Sequence, residues 1–212
     1  MFDAHRKIYN LGEVCNINSE NMKPKEYSEI NYVDISSVKR GKILEITKIT
    51  KNFPSRAKRI IKKGDILYSS VRPNLKGYVY ISKHIENGIA STGFANIRVK
   101  QLDIVLSKYL YYIITSDYIN NYLISKAKGA QYPAVSFDEF KNIKIPIPSL
   151  KQQQEIVEKC DHIQDLIKML EKDIEYLKDI SKQILESYIS KKLTQDNVDI
   201  VYEDIIIEDS EE

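Results

Sequence analysis

The sequence feature that most constrains the fold is residues 150–193, which contain neither Gly nor Pro. They follow Pro146-Ile147-Pro148, where each proline disfavours helix in the residue before it and removes a backbone donor. We therefore expect Ser149 to cap a single helix that begins at Leu150. At ~1.5 Å per residue this helix is on the order of 65 Å long. That length exceeds what the core of a small domain can bury.

Apolar residues recur in this helix at the seven-residue spacing of a coiled coil, and the d position is apolar in five successive repeats. An exposed seam of this length is an association surface. We therefore predict a homodimer formed by antiparallel pairing of two such helices. The alternative is an amphipathic helix packed along its own body. The predicted interface consists of Ile156, Ile163, Ile167, Leu170, Ile174, Leu177 and Ile184.

The net charge of +2 hides an uneven distribution. Residues 1–150 carry 24 Lys and Arg against 13 acids, residues 151–193 carry 8 against 9, and residues 194–212 carry none against 8. Between Lys39 and Lys63 there are ten cations and a single acid, Glu45. A basic body indicates a polyanionic partner, with nucleic acid as the leading candidate.

The length fits one domain plus an appendage, so we divide the chain into a body (1–148), a helix (149–193) and an acidic tail (194–212). β-branched and aromatic runs between turn formers predict short strands at 33–35, 42–46, 65–69, 78–81 and 94–99, besides a first strand at Leu11. In the tail, the apolar residues 205–207 could add an edge strand or be disordered.

The helical pattern begins at residue 107 and runs to 126, as two helices or one kinked helix, with Ser116 or Asp117 as the internal cap. Ser136 starts a short helix that ends near Asn142. The fold class is α+β: a globular mixed α/β domain followed by one long coiled-coil-forming helix.

Motifs for catalysis are missing from the sequence. Adenine and cytosine amino-methyltransferases need a [DN]-P-P-[YFW] tetrapeptide and a Gly-rich loop for the methyl donor, and neither occurs. A phosphate-binding G-x-x-x-x-G-K loop is absent as well. Asp65 with Glu86 lacks the distinctive carboxylate spacing of a metal-dependent nuclease. We expect a binding protein with no catalytic residue.

Isolated Cys and His residues argue against a metal or disulfide framework. Cys15 and Cys160 lie far apart, and His5, His84 and His162 stand alone. No apolar run reaches the roughly 18 residues needed to span a bilayer, and no signal peptide is evident. We expect a cytoplasmic protein without membrane contact, metal or cofactor.

Four segments of the sequence carry a resemblance when they are taken together and in order. They are NLGEVC at 10–15, KGDILYSSVRPNL at 63–75, YLYY at 109–112 with GAQYPAVS at 129–136, and IKIPIPSLKQQQEIV at 143–157. They cover nearly all of residues 8–193 and resemble the specificity subunits of Type I restriction-modification systems. A full specificity subunit looks like two recognition domains alternating with two conserved helices, so this chain is similar to a half-length form.

The resemblance implies that the chain selects the double-stranded DNA site for a partner adenine-N6 methyltransferase (modification) subunit and a restriction motor-nuclease subunit. The methyltransferase docks chiefly on the conserved helix. Two identical chains imply an interrupted palindrome as the target. We expect the cations between Lys39 and Lys63 to bind phosphate, and Arg72 and Asn74 to read bases. The predicted DNA contacts are Lys39, Arg40, Arg56, Lys58, Arg59, Lys62, Lys63, Ser69, Arg72, Asn74, Lys76, Gln131 and Tyr132.

Two other functions fit the sequence. The chain could be a recognition module detached from a fused methyltransferase or restriction enzyme, although Met1 a few residues before the predicted strand at Leu11 favours a complete gene product. It could also be a coiled-coil adaptor that does not bind DNA. A steep dependence of DNA affinity on salt would exclude the adaptor.

Overall fold

A computed structural model describes residues 7–195 of the chain, with side chains described as far as Lys192. The strands are β1 (Lys7–Asn10), β2 (Cys15–Ile17), β3 (Ile30–Val33), β4 (Val38–Lys39), β5 (Lys42–Ile43), β6 (Thr47–Ile49), β7 (Ala57–Ile60), β8 (Ile66–Ser69), β9 (Tyr78–Tyr80), β10 (Gly88–Ser91), β11 (Phe94–Val99) and β12 (Lys144–Ile147). The helices are α1 (Leu11–Val14), α2 (Ser107–Ile114), α3 (Asp117–Lys126), α4 (Phe137–Lys141) and α5 (Leu150–Gln195). This α+β content confirms the predicted fold class.

Two four-stranded sheets form the centre of the body. The outer sheet has the order β6-β3-β10-β7, and its β3 and β10 run parallel with Asn31 opposite Gly88. The central sheet has the order β2-β11-β8-β9 and is antiparallel throughout. The chain passes between the sheets at Thr92-Gly93, where β10 turns into β11. Two smaller antiparallel pairs, β4-β5 and β1-β12, complete the body.

The central sheet is covered on both faces, which explains why its strands lack clean alternation in the sequence. All four residues of β8 are buried. Leu67 packs towards the outer sheet, in a cluster with Ala90 and Phe94. Its neighbour Tyr68 packs towards the helices, in a cluster with Leu110. Strands buried on both faces read as continuous apolar runs, so a period-two pattern could not reveal their order.

Of the two predicted alternatives for residues 107–126, two helices or one kinked helix, the structure has two helices. The Ser116 hydroxyl accepts a hydrogen bond from the Ile119 backbone N–H and so caps α3. Ser136 caps α4 by accepting from the Glu139 N–H. Hydroxyl caps of this kind are local, and the two serines could therefore be identified from sequence.

The prediction of a strand at Leu11 was wrong. Leu11 begins the short helix α1, because the Glu13 carboxylate accepts from the Asn10 backbone N–H at 2.5 Å and closes a capping box. The strand predicted at 33–35 was displaced, because β3 spans Ile30–Val33 and shares only Val33 with the prediction. β3 ends at Val33 because the Asp34 carboxylate accepts from the Ser36 N–H and turns the chain.

The strand predicted at 42–46 shrinks to Lys42–Ile43, which forms one arm of a tight hairpin. Leu44 and Ile46, two of the apolar residues that suggested a longer strand, are exposed. The prediction at 94–99 was confirmed in full, and β8 and β9 were each predicted to within one residue.

The first turns of α5 belong to the body. Gln153 is fully buried, its side-chain oxygen accepts from the Leu106 N–H at 2.9 Å, and its amide donates to the carbonyls of Ile104 and Pro148 at 2.8 and 2.9 Å. Val157 is buried as well. One compact unit ends at Cys160 and a second begins at Asp161, so that the first turns of α5 are part of the first unit. The functional boundary at Pro148 stays a prediction.

In the second unit the predicted seam is solvent-exposed on the single chain. Its six apolar residues have exposed fractions between 42% and 64%: Ile163, Ile167, Leu170, Ile174, Leu177 and Ile184. The seventh predicted residue, Ile156, is half-buried in the first unit. The acidic tail from residue 196 onwards, including its apolar residues 205–207, lies outside the described residues. Within residues 7–195, no helix is both long and apolar enough to cross a bilayer.

Candidate nucleic-acid interface

One end of the two large sheets is built from irregular loops, and we call it the turn end. It comprises the segment 70–77 after β8, the β10–β11 turn, the β4–β5 hairpin and the loop 128–135. Backbone hydrogen bonds join these loops: Ser70 N–H donates to the Gly93 carbonyl and Val135 N–H to the Ser70 carbonyl, each at 2.8 Å. The Arg40 N–H donates to the Lys76 carbonyl at 2.9 Å. Loops distant in sequence thus form one continuous surface.

The segment after β8 has a strained backbone at both sides of a short 3₁₀ turn, Pro73–Leu75. Arg72 and Lys76 adopt left-handed conformations, with φ values of +49° and +54°. Such values are uncommon for residues other than glycine and store strain that the surrounding structure must hold. Asn74 lies on the turn between them and is exposed. The two left-handed residues therefore present Asn74 to solvent.

Arg72 is held by the loop 128–135. Its backbone N–H donates to the Pro133 carbonyl at 2.7 Å, and its Nη2 donates to the Gln131 carbonyl at 3.0 Å. Its guanidinium lies over the Tyr132 ring, 4.4 Å from the ring centroid. The structure therefore brings Arg72, Gln131 and Tyr132 together, although about sixty residues of sequence separate the arginine from the other two.

Lys76 lies on the same surface and makes an ion pair with Asp117 at 2.6 Å. The hydrogen bond from Lys76 lowers the pKa of the Asp117 carboxyl. Lys39 and Arg40, at the tip of the β4–β5 hairpin, are exposed beside Lys76. The Gly41 N–H fixes the hairpin by donating to the Tyr78 carbonyl at 2.8 Å. Three predicted DNA contacts are therefore neighbours.

Arg56 joins the turn end through its carbonyl, which accepts from the Thr92 N–H at 2.8 Å. Lys58 is exposed on β7. Arg59 is half-buried, donates from Nη1 to Asn21 at 2.7 Å and lies 5.6 Å from the Phe137 ring centroid. These contacts hold Arg59 within the fold, so it is less available to DNA than its charge suggests.

Ser69 was predicted as a DNA contact, and the structure corrects this. Its side chain is buried, and its hydroxyl donates to the Val71 carbonyl at 2.7 Å. The hydroxyl therefore shapes the start of the turn segment and cannot reach a nucleic acid in this conformation.

Lys62 and Lys63 lie at the opposite end of the sheets, before β8 begins. The four residues of β8 separate them from Ser70 by about 13 Å at ~3.3 Å per residue. Lys62 forms an ion pair with Glu20 at 2.7 Å. The structure therefore does not bring these two lysines together with the turn-end cations, although all of them fall in one basic stretch of sequence.

The opposite end contains an ion network that the sequence analysis missed. Arg98 donates from Nε and Nη2 to the two carboxylate oxygens of Asp65 at 2.6 and 2.7 Å, and from Nη1 to Glu20 at 2.6 Å. Asp65 also accepts from the Lys62 N–H and from Asn96. The hydrogen bond to Asp65 raises the pKa of Arg98, and those from Lys62 and Arg98 help to lower the pKa of Glu20.

Hydrogen bonds within this network occupy the buried carboxylate of Asp65, which the sequence suggested as a possible nuclease residue. Glu86, its suggested partner, is exposed, and its Oε2 lies 3.0 Å from Nε2 of His84. Burial raises the pKa of the Cys15 thiol to about 12, which keeps it neutral and unreactive. In the part of the chain that the structure describes, no three His, Cys, Asp or Glu side chains are placed to hold a metal ion.

Comparison with known proteins shows the family of the chain. Residues 6–179 match the family of the Type I restriction modification DNA specificity domain. The specificity subunit of the Type I restriction enzyme HindI of Haemophilus influenzae is 28% identical over 186 residues, which is 86% of this chain and 40% of that protein. The specificity subunit of the Type I restriction enzyme MjaIX of Methanocaldococcus jannaschii is 30% identical over 206 residues, 94% of this chain and 46% of that protein.

Among solved structures, the HsdS subunit of Thermoanaerobacter tengcongensis is similar, with a TM-score of 0.71 and 29% identity over 92% of this chain and 50% of that one. The chain thus spans about half the length of the relatives it matches. Because the family match covers most of its residues, the chain belongs to the family of Type I restriction modification DNA specificity domains.

Proposed function

We propose that the chain recognises a specific sequence in double-stranded DNA for a Type I restriction-modification system, and that the turn end is its DNA-binding surface. The observation that carries this proposal is the convergence of Lys39, Arg40, Arg56, Arg72 and Lys76 on one loop-built end. Cations supply phosphate contacts and the salt-dependent part of affinity, whereas polar side chains on rigid loops supply base contacts. Both kinds are present at the turn end.

The roles divide by how each side chain is held. Lys39 and Arg40, at a hairpin tip and exposed, suit phosphate contacts, for which position matters more than orientation. Arg72 is oriented by its neighbours, and Asn74 is presented by a strained turn; both suit base edges. Gln131 and Tyr132 lie beside Arg72 and belong to the same part of the surface.

Chemistry on the DNA belongs to partner subunits in this proposal. A partner adenine-N6 methyltransferase docks chiefly on α5, and a motor-nuclease subunit joins the complex. We expect the highly purified chain with S-adenosylmethionine to transfer no methyl group to DNA, and co-expression with its cognate modification subunit to yield methylated adenines in one sequence context. Methyl transfer by the chain alone would contradict the division of roles.

We further propose that two chains pair through α5 in antiparallel fashion. The support is the exposed series centred on Leu170 and Leu177, which has the spacing of a coiled-coil seam. A two-fold axis presents the same recognition surface twice, so the target is an interrupted palindrome. The half-length match to longer relatives is consistent with a second copy that takes the place of their other half.

The pairing is tested by Leu170→Glu with Leu177→Glu, which puts unpartnered charges into the seam at a cost of several kcal/mol. We expect monomers at tens of micromolar by light scattering, where the unmodified chain is dimeric. Tyr176→Glu with Gln183→Glu adds the same charge outside the a and d positions and should leave the dimer intact. An unmodified chain that is monomeric at this concentration contradicts the pairing.

The half-length match also favours a second arrangement, in which the chain acts as one recognition module of a longer subunit or a fused enzyme. The mapped target separates the two. An interrupted palindrome supports the symmetric dimer, and an asymmetric or uninterrupted target supports the single module.

A further inference from the structure

We propose that Arg72 reads a guanine and that Tyr132 is the residue that positions it. This inference rests on the proposed DNA recognition and goes further by naming the base and the mechanism of orientation. Arg72 and Tyr132 act as one unit: the tyrosine ring fixes the plane of the guanidinium, and the Gln131 carbonyl fixes its rotation within that plane.

Three contacts determine the position of Arg72. The Tyr132 ring centroid lies 4.4 Å from the guanidinium carbon, the Gln131 carbonyl accepts from Nη2 at 3.0 Å, and the Pro133 carbonyl accepts from the backbone N–H at 2.7 Å. A planar cation on an aromatic face is stabilised by the ring quadrupole and by stacking. The guanidinium has five N–H donors, and only one is directed at Gln131, so a pair of donors remains for a ligand.

The loop that carries Tyr132 is itself rigid. Lys128 and Ala134 exchange two backbone hydrogen bonds of 2.9 Å, which close the loop at its base. Gly129 has a φ of +111°, and a Cβ there would approach the Tyr132 carbonyl to 3.1 Å, so the tight turn favours glycine. Because the ring stands on a closed loop, Arg72 loses little conformational entropy when it binds.

A guanidinium whose orientation is fixed before binding favours guanine over phosphate. Guanine presents two acceptors, O6 and N7, on one edge in the major groove, and an arginine that pairs with both must lie in the plane of the base. A phosphate contact does not require a fixed plane, and the exposed Lys39 and Arg40 can supply such contacts. Tyr132 is 66% exposed even with the arginine above it and Arg72 is half-buried, so the pair lies at the surface, where a ligand can contact it.

The test measures sequence preference as well as affinity. Binding to a library of randomised half-sites is compared for the unmodified chain and four variants: Arg72→Lys, Arg72→Ala, Tyr132→Ala and Tyr132→Phe. Tyr176→Ala is the matched control, because Tyr176 is also 66% exposed and lies on α5. Thermal unfolding of each variant verifies that it is folded.

We expect one guanine position to lose roughly 5- to 140-fold of discrimination in both Arg72 variants, the equivalent of ~1–3 kcal/mol. Arg72→Lys keeps the charge, so its salt slope should stay unchanged while discrimination falls. Tyr132→Ala should relax the same position, and Tyr132→Phe should retain the preference because the ring is kept. Tyr176→Ala should preserve the full sequence preference.

Three results overturn the inference while DNA recognition stands. The first is a folded Arg72→Ala that weakens all sequences equally, which makes Arg72 a phosphate contact. The others are a Tyr132→Ala that keeps the guanine preference and a relaxation at a base other than guanine. An unmodified chain that binds DNA without sequence preference contradicts the proposed function itself, which is a separate outcome.

Discussion

An arginine lies near each end of strand β8, Arg98 on the paired strand β11 and Arg72 in the segment that follows β8, and the two have different partners. At the opposite end, Arg98 meets two carboxylates, Asp65 and Glu20, and its charge is neutralised within the fold. At the turn end, Arg72 meets a carbonyl and an aromatic ring, neither of which carries a negative charge. The first arrangement stabilises the body, and the second leaves a positive charge for a ligand.

This difference shows why counting cations along a sequence overestimates a binding surface. Lys62 and Lys63 belong to the most basic stretch of the chain, yet they lie at the opposite end, close to Glu20 and Asp65. Arg72 falls outside that stretch and lies on the candidate interface, where its partners are a carbonyl and an aromatic ring. Lys76 also lies there, although it is paired with Asp117. We therefore infer that the position of a cation in the fold, more than charge density along the sequence, decides whether it can bind DNA.

The largest expected effect comes from breaking the buried pair. Asp65→Ala leaves Arg98 without its main partner and should lower the free energy of unfolding by about 3–5 kcal/mol. Chemical denaturation of the full chain measures this. Asp117→Ala, which removes the exposed partner of Lys76, is the matched control and should change stability little while DNA binding strengthens or stays unchanged. Equal losses of stability in the two variants would contradict the distinction between the ends.

The second prediction compares paired cations at the two ends. Lys39→Ala with Arg40→Ala should weaken binding to all sequences and reduce the salt slope by about 0.9 per lost phosphate contact. The basic stretch predicts the same for Lys62→Ala with Lys63→Ala, whereas the ion pair with Glu20 predicts a smaller change. Affinity measured over a series of salt concentrations decides between them, and a larger slope change at Lys62 and Lys63 would place DNA at the opposite end.

The smallest expected effect is a dependence of stability on pH. The hydrogen bond from Lys62 and the charge of Arg98 lower the pKa of Glu20 in the folded state. A depressed carboxyl pKa stabilises the fold above the unfolded-state pKa of about 4.3, and this stabilisation is lost as pH falls through the folded-state value. Unfolding followed from pH 7 to pH 3 should therefore show a steeper loss for the unmodified chain than for Glu20→Gln. Parallel curves would contradict the role of this carboxylate.

Features with local causes could be predicted from sequence. The long helix followed from the absence of Gly and Pro, the caps at Ser116 and Ser136 from hydroxyls before helical patterns, and β11 from its β-branched run. The turn that carries Arg72 and Asn74 lies between the strands predicted at 65–69 and 78–81, as the turn formers there indicated. Each of these depends on residues within a few positions of one another.

Features with distant causes could not be predicted. Asp65 and Arg98 are 33 residues apart and meet only because β8 and β11 pair. The parallel pairing of β3 with β10 joins segments more than fifty residues apart, and no local pattern specifies it. The burial of Gln153 could not be predicted, because a glutamine in a helix normally faces solvent. For the site, sequence supplied most of the residue types, and only the fold showed which of them share a surface.

The docking of α5 through Gln153 bears on how such a molecule can diverge. Its amide is satisfied entirely by main-chain atoms of Ile104, Leu106 and Pro148, and every amino acid except proline offers the same backbone groups. The junction therefore places few demands on the side chains of the body. A body with a different DNA preference can be joined to the same helix if its chain passes that point in the same conformation, so recognition is free to change while the junction is inherited.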